Sequence, residues 1–301
     1  MRPDTPTPVE RRLVTPDHWN LSVLDFVPQG EPRAIVIAGH AMMVDRRTLF
    51  RSGRPSLVGS LVEQRFRVLL PDLRGHGQSG PRARQGGQWS YDDLVQDTIH
   101  YVDMAHDLDN ELPVFLLGHS LFGHTSLAYL GQHPGTPVKG LIFLSVNLWI
   151  QPWTPSGPGW LARRAITDAC TLLTRIHGYL PAARYGFGSN DESKTYWAQF
   201  RRWMLDHRWD SNAGIDYHAP LTNLRLPLLQ VVSDGDGFGA PPAHSLAFTG
   251  PLAPERTVLH LGKKSTDERL KGFAPGHMGV VTNPESQPVW EMIGEWIEGV
   301  V

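Results

Sequence analysis

Cysteine is almost missing from this chain: Cys170 is the only one in 301 residues. An internal disulfide is therefore excluded, and a reducing cytoplasm is the expected location. A lone cysteine also raises the question of a thiol nucleophile, but Cys170 lies in Ala-Cys-Thr-Leu-Leu, where a small buried thiol is expected. Excess charge is lacking too. Lys and Arg number 28 against 30 Asp and Glu, a formal net charge of −2 that gives no general attraction to nucleic acid or to an anionic membrane. No apolar run is long enough to span a bilayer. The opening Met-Arg-Pro-Asp-Thr-Pro-Thr-Pro has no apolar stretch of the signal-peptide kind.

What is present is a hydrophobic fraction of 41%, enough for a large core in one α/β unit of this length. Short apolar runs alternate with helical patterns, the mark of βαβ units and a mainly parallel sheet. The expected strands are Leu21–Val27, Ala34–Ala38, Arg67–Pro71, Val114–Leu117, Gly140–Ser145, Pro227–Val232 and Thr257–Leu261. Ser90-Tyr91-Asp92-Asp93 reads as a capping box that opens a helix. Trp290, Ile293, Trp296, Ile297 and Val300 form an apolar stripe at helical spacing, read as core packing of the last helix.

From about Asn147 to Leu221 the alternation breaks. This stretch contains Pro152, Pro155, Pro158 and Pro181, helical patterns around Leu161–Ile176 and Lys194–Asp206, and six of the ten tryptophans. Most of those tryptophans are expected to pack a small core of their own, with one or two facing a pocket. The Pro-rich residues 1–10 are expected to be without fixed structure.

One motif carries chemistry. Gly118-His119-Ser120-Leu121-Phe122-Gly123 follows the apolar strand and precedes a helical pattern. A serine hydroxyl is a weak nucleophile unless a sharp strand-to-helix turn presents its oxygen to a base and to backbone N–H donors. The plain alternative is that Ser120 caps the helix. The segment resembles the nucleophile elbow of the α/β-hydrolases, Gly-x-Ser-x-Gly, with one departure: the fifth position is Phe122 and the glycine comes one place later.

That resemblance extends from Ala34 to the final helix. It implies an α/β-hydrolase fold: a mostly parallel eight-stranded sheet flanked by helices, residues 1–146 and 222–301 forming the core and 147–221 a helical cap. It also implies the chain order Ser, Asp, His. After the strand at 227–232 comes Ser-Asp234-Gly-Asp236-Gly-Phe-Gly-Ala-Pro241, where Asp236 fits the family's acid loop better than its rival Asp234, which a turn would use for structural reasons. Pro275-Gly276-His277-Met278-Gly279 is similar to the family's histidine loop, so His277 is the expected base. The oxyanion hole takes one N–H from Leu121 and a second from the loop Gly39-His40-Ala41-Met42-Met43, with Met42 preferred and Ala41 next. Pro71-Asp72-Leu73-Arg74-Gly75-His76-Gly77-Gln78-Ser79 resembles the family's bracing turn and is read as structural.

Other motifs fail on context. Gly75-x-Gly77-x-x-Gly80 runs into loop rather than into a dinucleotide-binding helix, and Gly262-Lys-Lys-Ser-Thr lacks the upstream glycine of a phosphate loop. The histidines fit no metal spacing, so neither metal nor cofactor is expected. The expected function is a cofactor-independent serine hydrolase acting on a small-molecule ester or related acyl substrate. An acyltransferase with the same residues and a non-catalytic binding protein on the same scaffold are the alternatives, the latter because Phe122 could fill the acyl pocket.

Overall fold

A computed structural model describes residues 6–301. In chain order the elements are β1 (Val9–Val14), β2 (Asn20–Phe26), β3 (Ile35–Gly39), α1 (Leu57–Glu63), β4 (Arg67–Pro71), α2 (Tyr91–Leu108), β5 (Val114–His119), α3 (Leu121–Gln132) and β6 (Gly140–Leu144). There follow α4 (Pro158–His177), β7 (Tyr179–Leu180), β8 (Glu192–Ser193), α5 (Lys194–Asp206), β9 (Leu228–Ser233), α6 (Pro242–Phe248), β10 (Arg256–Leu261), α7 (Gly279–Thr282) and α8 (Gln287–Val300).

The main sheet has eight strands in the order β1-β2-β4-β3-β5-β6-β9-β10. From β4 to β10 neighbouring strands are parallel, while β1/β2 and β2/β4 pair antiparallel. This is the mostly parallel eight-stranded sheet of the α/β-hydrolase fold. Its central strands are mainly apolar because both faces are covered, as parallel sheets require. Side-chain alternation then assigns residues to two cores. Ile35, Ile37, Leu116 and Phe143 face one side with α2 and α3; Val36, Ala38, Leu117 and Leu144 face the other with α1 and α8. Trp290, Ile293 and Ile297 of the C-terminal stripe are buried on that second side.

The capping box at Ser90 is formed, with the Ser90 side chain accepting from Asp93 N–H and Asp93 accepting from Ser90 N–H. Val9 and Glu10, expected to be without structure, instead begin β1; residues 1–5 lie outside the described residues. The edge strand escaped notice because Val-Glu-Arg-Arg-Leu-Val carries charge on both faces, as solvent-exposed edges commonly do. Between β6 and β9 the chain leaves the sheet to form α4, the short β7/β8 pair and α5. Four of that segment's six tryptophans, Trp153, Trp197, Trp203 and Trp209, are buried.

Candidate functional site

The site residues converge at the C-terminal ends of the parallel strands, where an open α/β sheet presents its loops. Ser120 follows β5 directly and sits at φ 52°, ψ −106°, with no side-chain capping hydrogen bond to α3. The helix-cap alternative therefore fails. A non-glycine residue held in that strained region of backbone space is what a sharp elbow demands. The turn closes because Gly118 and Gly123 approach each other: a Cβ on Gly118 would lie 2.2 Å from the Gly123 nitrogen.

Phe122 packs into the core on the side of α2 and α3. Its side chain is 1% exposed, lies edge-on to Tyr101, and covers the face of Gly39 so closely that a Cβ there would stand 2.0 Å from Phe122 Cγ. The missing glycine of the elbow is thus matched by a glycine on the neighbouring strand. The Phe122 N–H donates to the His40 carbonyl at 3.4 Å, joining the elbow to the loop after β3.

Of the two candidate acids, Asp236 meets His277: Nδ1 donates to Oδ2 at 2.7 Å. Asp234 instead accepts from His260 Nε2 at 2.8 Å and serves the end of β10. Asp236 is 2% exposed. Burial pushes its carboxyl up, but His277, the Ala240 N–H and Ser145 together outweigh burial and hold it below the usual carboxylate range. With Nδ1 committed as donor, His277 keeps Nε2 as an acceptor. No hydrogen bond joins Ser120 to His277 among the described residues. They are linked through His119, whose Nε2 donates to the His277 carbonyl at 3.0 Å. Burial drives His119 down to about 3, so it is a neutral strut.

Backbone donors remain free at the expected places. Among the described residues the amides of Ala41, Met42 and Leu121 have no acceptor, whereas Met43 N–H is taken by Glu192 Oε1 at 2.7 Å. Sequence reading missed the group that makes this loop possible. Residues 188–192, just before α5, wrap Met43, which sits at φ 61°. Its carbonyl accepts from Ser189 N–H and Asn190 N–H at 2.8 and 2.9 Å, and Asn190 also holds Asp45 and Gly77. Two other contacts were equally invisible. Trp149 Nε1 donates to the Gly239 carbonyl at 2.9 Å, and Arg163 of α4 donates to the Phe238 carbonyl, so the inserted segment grips the acid loop. Nothing in the local sequence marks these partners, because each is paired across a long chain separation.

His76, from the bracing turn, lies against Glu192 in complete burial. Its Nδ1 donates to the Arg74 carbonyl at 2.9 Å and its Nε2 reaches Glu192 Oε1 at 3.1 Å. Both partners are acceptors, so the ring carries both protons. Burial alone would lower its pKa, but the charge and hydrogen bond of Glu192 prevail and raise it. A raised histidine stabilises fully below its ordinary value of 6.5 and loses that contribution as pH climbs through the raised value. Urea midpoints of the wild type are thus expected to fall between pH 6 and pH 9. Glu192→Gln should be less stable by about 2 kcal/mol at pH 6 and lack this decline; an unchanged decline would remove His76 as its source.

The family model described as serine aminopeptidase, S33, matches residues 30–184, which is just over half of the chain. Among curated proteins, protein phosphatase methylesterase 1 of Candida albicans is 29% identical over 144 residues, covering 47% of this chain and 37% of its own. A monoglyceride lipase of Homo sapiens is 29% identical over 144 residues, covering 46% of this chain and 44% of its own. The chain spans less than half the length of these relatives. Among solved structures, an esterase from Exiguobacterium antarcticum superimposes with a TM-score of 0.65 at 18% identity, over 96% of this chain and 100% of that one. A monoacylglycerol lipase from Paleococcus ferrophilus gives 0.62 at 18% identity, over 93% and 99%. These two share the fold.

Proposed function

Because the chain belongs to the serine aminopeptidase S33 family of α/β-hydrolases, we propose that it cleaves an ester or related acyl bond of a small molecule through an acyl-enzyme on Ser120. The observation that carries this reading is the Asp236–His277 pair set beside the strained turn that bears Ser120. Ser120 Oγ attacks the carbonyl carbon while His277 Nε2 takes its proton. Asp236 fixes the ring tautomer and steadies the imidazolium that forms. The oxygen of the tetrahedral intermediate takes hydrogen bonds from the Leu121 and Met42 amides, the second donor resting on a loop held by Glu192. His277 gives its proton to the leaving alcohol, and the acyl group stays on Ser120. Water then attacks, His277 again acts as base, and the carboxylic acid leaves with Ser120 restored.

Residues 147–221 serve as a helical cap in this scheme. Trp149 and Arg163 tie them to the loop that carries Asp236, so the roof over the substrate and the acid move as one unit. Support for an ester as substrate comes from the lipase and esterases to which the chain is similar.

The test is covalent. A fluorophosphonate probe should form one adduct with the folded protein, and peptide mass spectrometry should map it to Ser120. An adduct on any other residue, or none, would overturn the assignment.

A further inference from the structure

Helix α4 is built the wrong way round for a helix of a globular core. Its buried residues are Arg163, Thr167, Cys170 and Thr174, spaced to form one inward face. A helix of this kind ordinarily buries its apolar stripe and shows polar residues to water. Here the large apolar side chains point outward: Leu161 is 62% exposed, Ile166 41%, Leu172 59% and Ile176 66%. At 100° per residue Leu161, Leu172 and Ile176 fall within about 60° of one another, with Ala165 between them and no charge, while Ile166 lies further round, past Leu173, which packs against the core. The turn that follows adds Tyr185 and Phe187, 45% and 52% exposed. Among the described residues nothing covers this face.

Charge selects the occupant. Apart from the inward Arg163, residues 158–188 hold three arginines and a single acid, Asp168, in a chain whose net charge is −2. Asp168 is already engaged by Arg164 and by Arg201. Arg175 and Arg184 make no ion pair among the described residues, and Arg184 lies over the Tyr185 ring. The whole-chain charge therefore conceals a local basic excess beside an exposed apolar face. A second copy of the chain would bring like-charged arginines together across a two-fold axis, because such an interface apposes the same patch on both subunits. An anionic lipid surface offers the complement: acyl chains for the apolar side chains, headgroups for the arginines, and an interfacial level for the aromatic pair.

We propose that the outer face of α4, with Tyr185 and Phe187, docks this protein on anionic lipid surfaces. The helix lies in the plane of the interface, its inward face still holding the Phe238 carbonyl through Arg163. The proposal concerns the opposite face of α4 from the candidate site and does not depend on Ser120 chemistry.

Flotation of the full chain with vesicles tests it. Vesicles of three parts phosphatidylcholine to one part phosphatidylglycerol should carry the wild type, pure phosphatidylcholine should carry markedly less, and added salt should weaken the difference. The double substitution Leu172→Asp, Ile176→Asp, both at exposed positions, should weaken the binding at least about tenfold, and Arg175→Glu should weaken it selectively for the anionic vesicles. Failure of the wild type to float, or equal flotation of the double variant, overturns the proposal. So does a concentration-dependent dimer in sedimentation that the double variant abolishes, since the face would then belong to a second copy.

Discussion

Ser120→Ala is expected to lower ester turnover by roughly 10⁴- to 10⁶-fold while leaving the fold intact. The loss should be large because the attacking hydroxyl itself is removed, and what remains is the catalysis of the oxyanion donors and of substrate binding. The fold should survive because the Ser120 side chain makes no capping bond to α3, and alanine meets the same backbone strain that serine does. Initial rates on a series of p-nitrophenyl esters, with circular dichroism as the control for folding, measure it. Activity within tenfold of wild type in a folded Ser120→Ala protein would sink Ser120 as nucleophile. Asp236→Asn should be nearly as damaging, on the order of 10⁴-fold, because an amide nitrogen facing Nδ1 favours the tautomer that leaves Nε2 unable to accept the serine proton. Asp234→Asn, whose partner is His260, should leave turnover close to wild type.

Gly39→Ala is expected to cost about 3 kcal/mol of stability, read from urea denaturation, because the new methyl would stand 2.0 Å from the Phe122 ring. Phe122→Ala alone should cost about 3–5 kcal/mol through the cavity that it opens on α3. In the double variant the new methyl enters space the ring has left. The combined loss should fall short of additivity by about 1–3 kcal/mol. Strict additivity would show that the two positions do not share that space. This cycle also tests why the elbow tolerates a bulky residue two places after its serine.

The legible parts of this chain were those written at short range. The central strands are visible as apolar runs because both faces of the sheet are covered, and the helix at Ser90 is visible because its cap is local. Ser120, Asp236 and His277 were read from motif order, and of the two aspartates Asp236 is the one hydrogen-bonded to His277, while Asp234 pairs with His260. Phe122 was visible as a departure but not as a solution, since its counterpart Gly39 lies on another strand. Glu192, Asn190 and Arg163 were not visible at all. Each is a polar residue in unremarkable surroundings whose partner lies far away in sequence, and only tertiary packing brings the two together. The exposed face of α4 was hidden for a different reason: periodicity reports that a helix has an apolar side, not which way that side turns.

The bond from Met43 N–H to Glu192 has a consequence in time. It spans 149 residues of chain. A ribosome adding about 5–20 residues per second needs on the order of 10 s to make that stretch. Through that interval the loop after β3 has been made but lacks the carboxylate that sets its shape. Asp236 and His277, the proposed acid and base, come later still, beyond β9. The newborn chain thus passes nearly half of its synthesis, from Leu144 to His277, with the partners of the Ser120 turn made but without the histidine proposed to act on it.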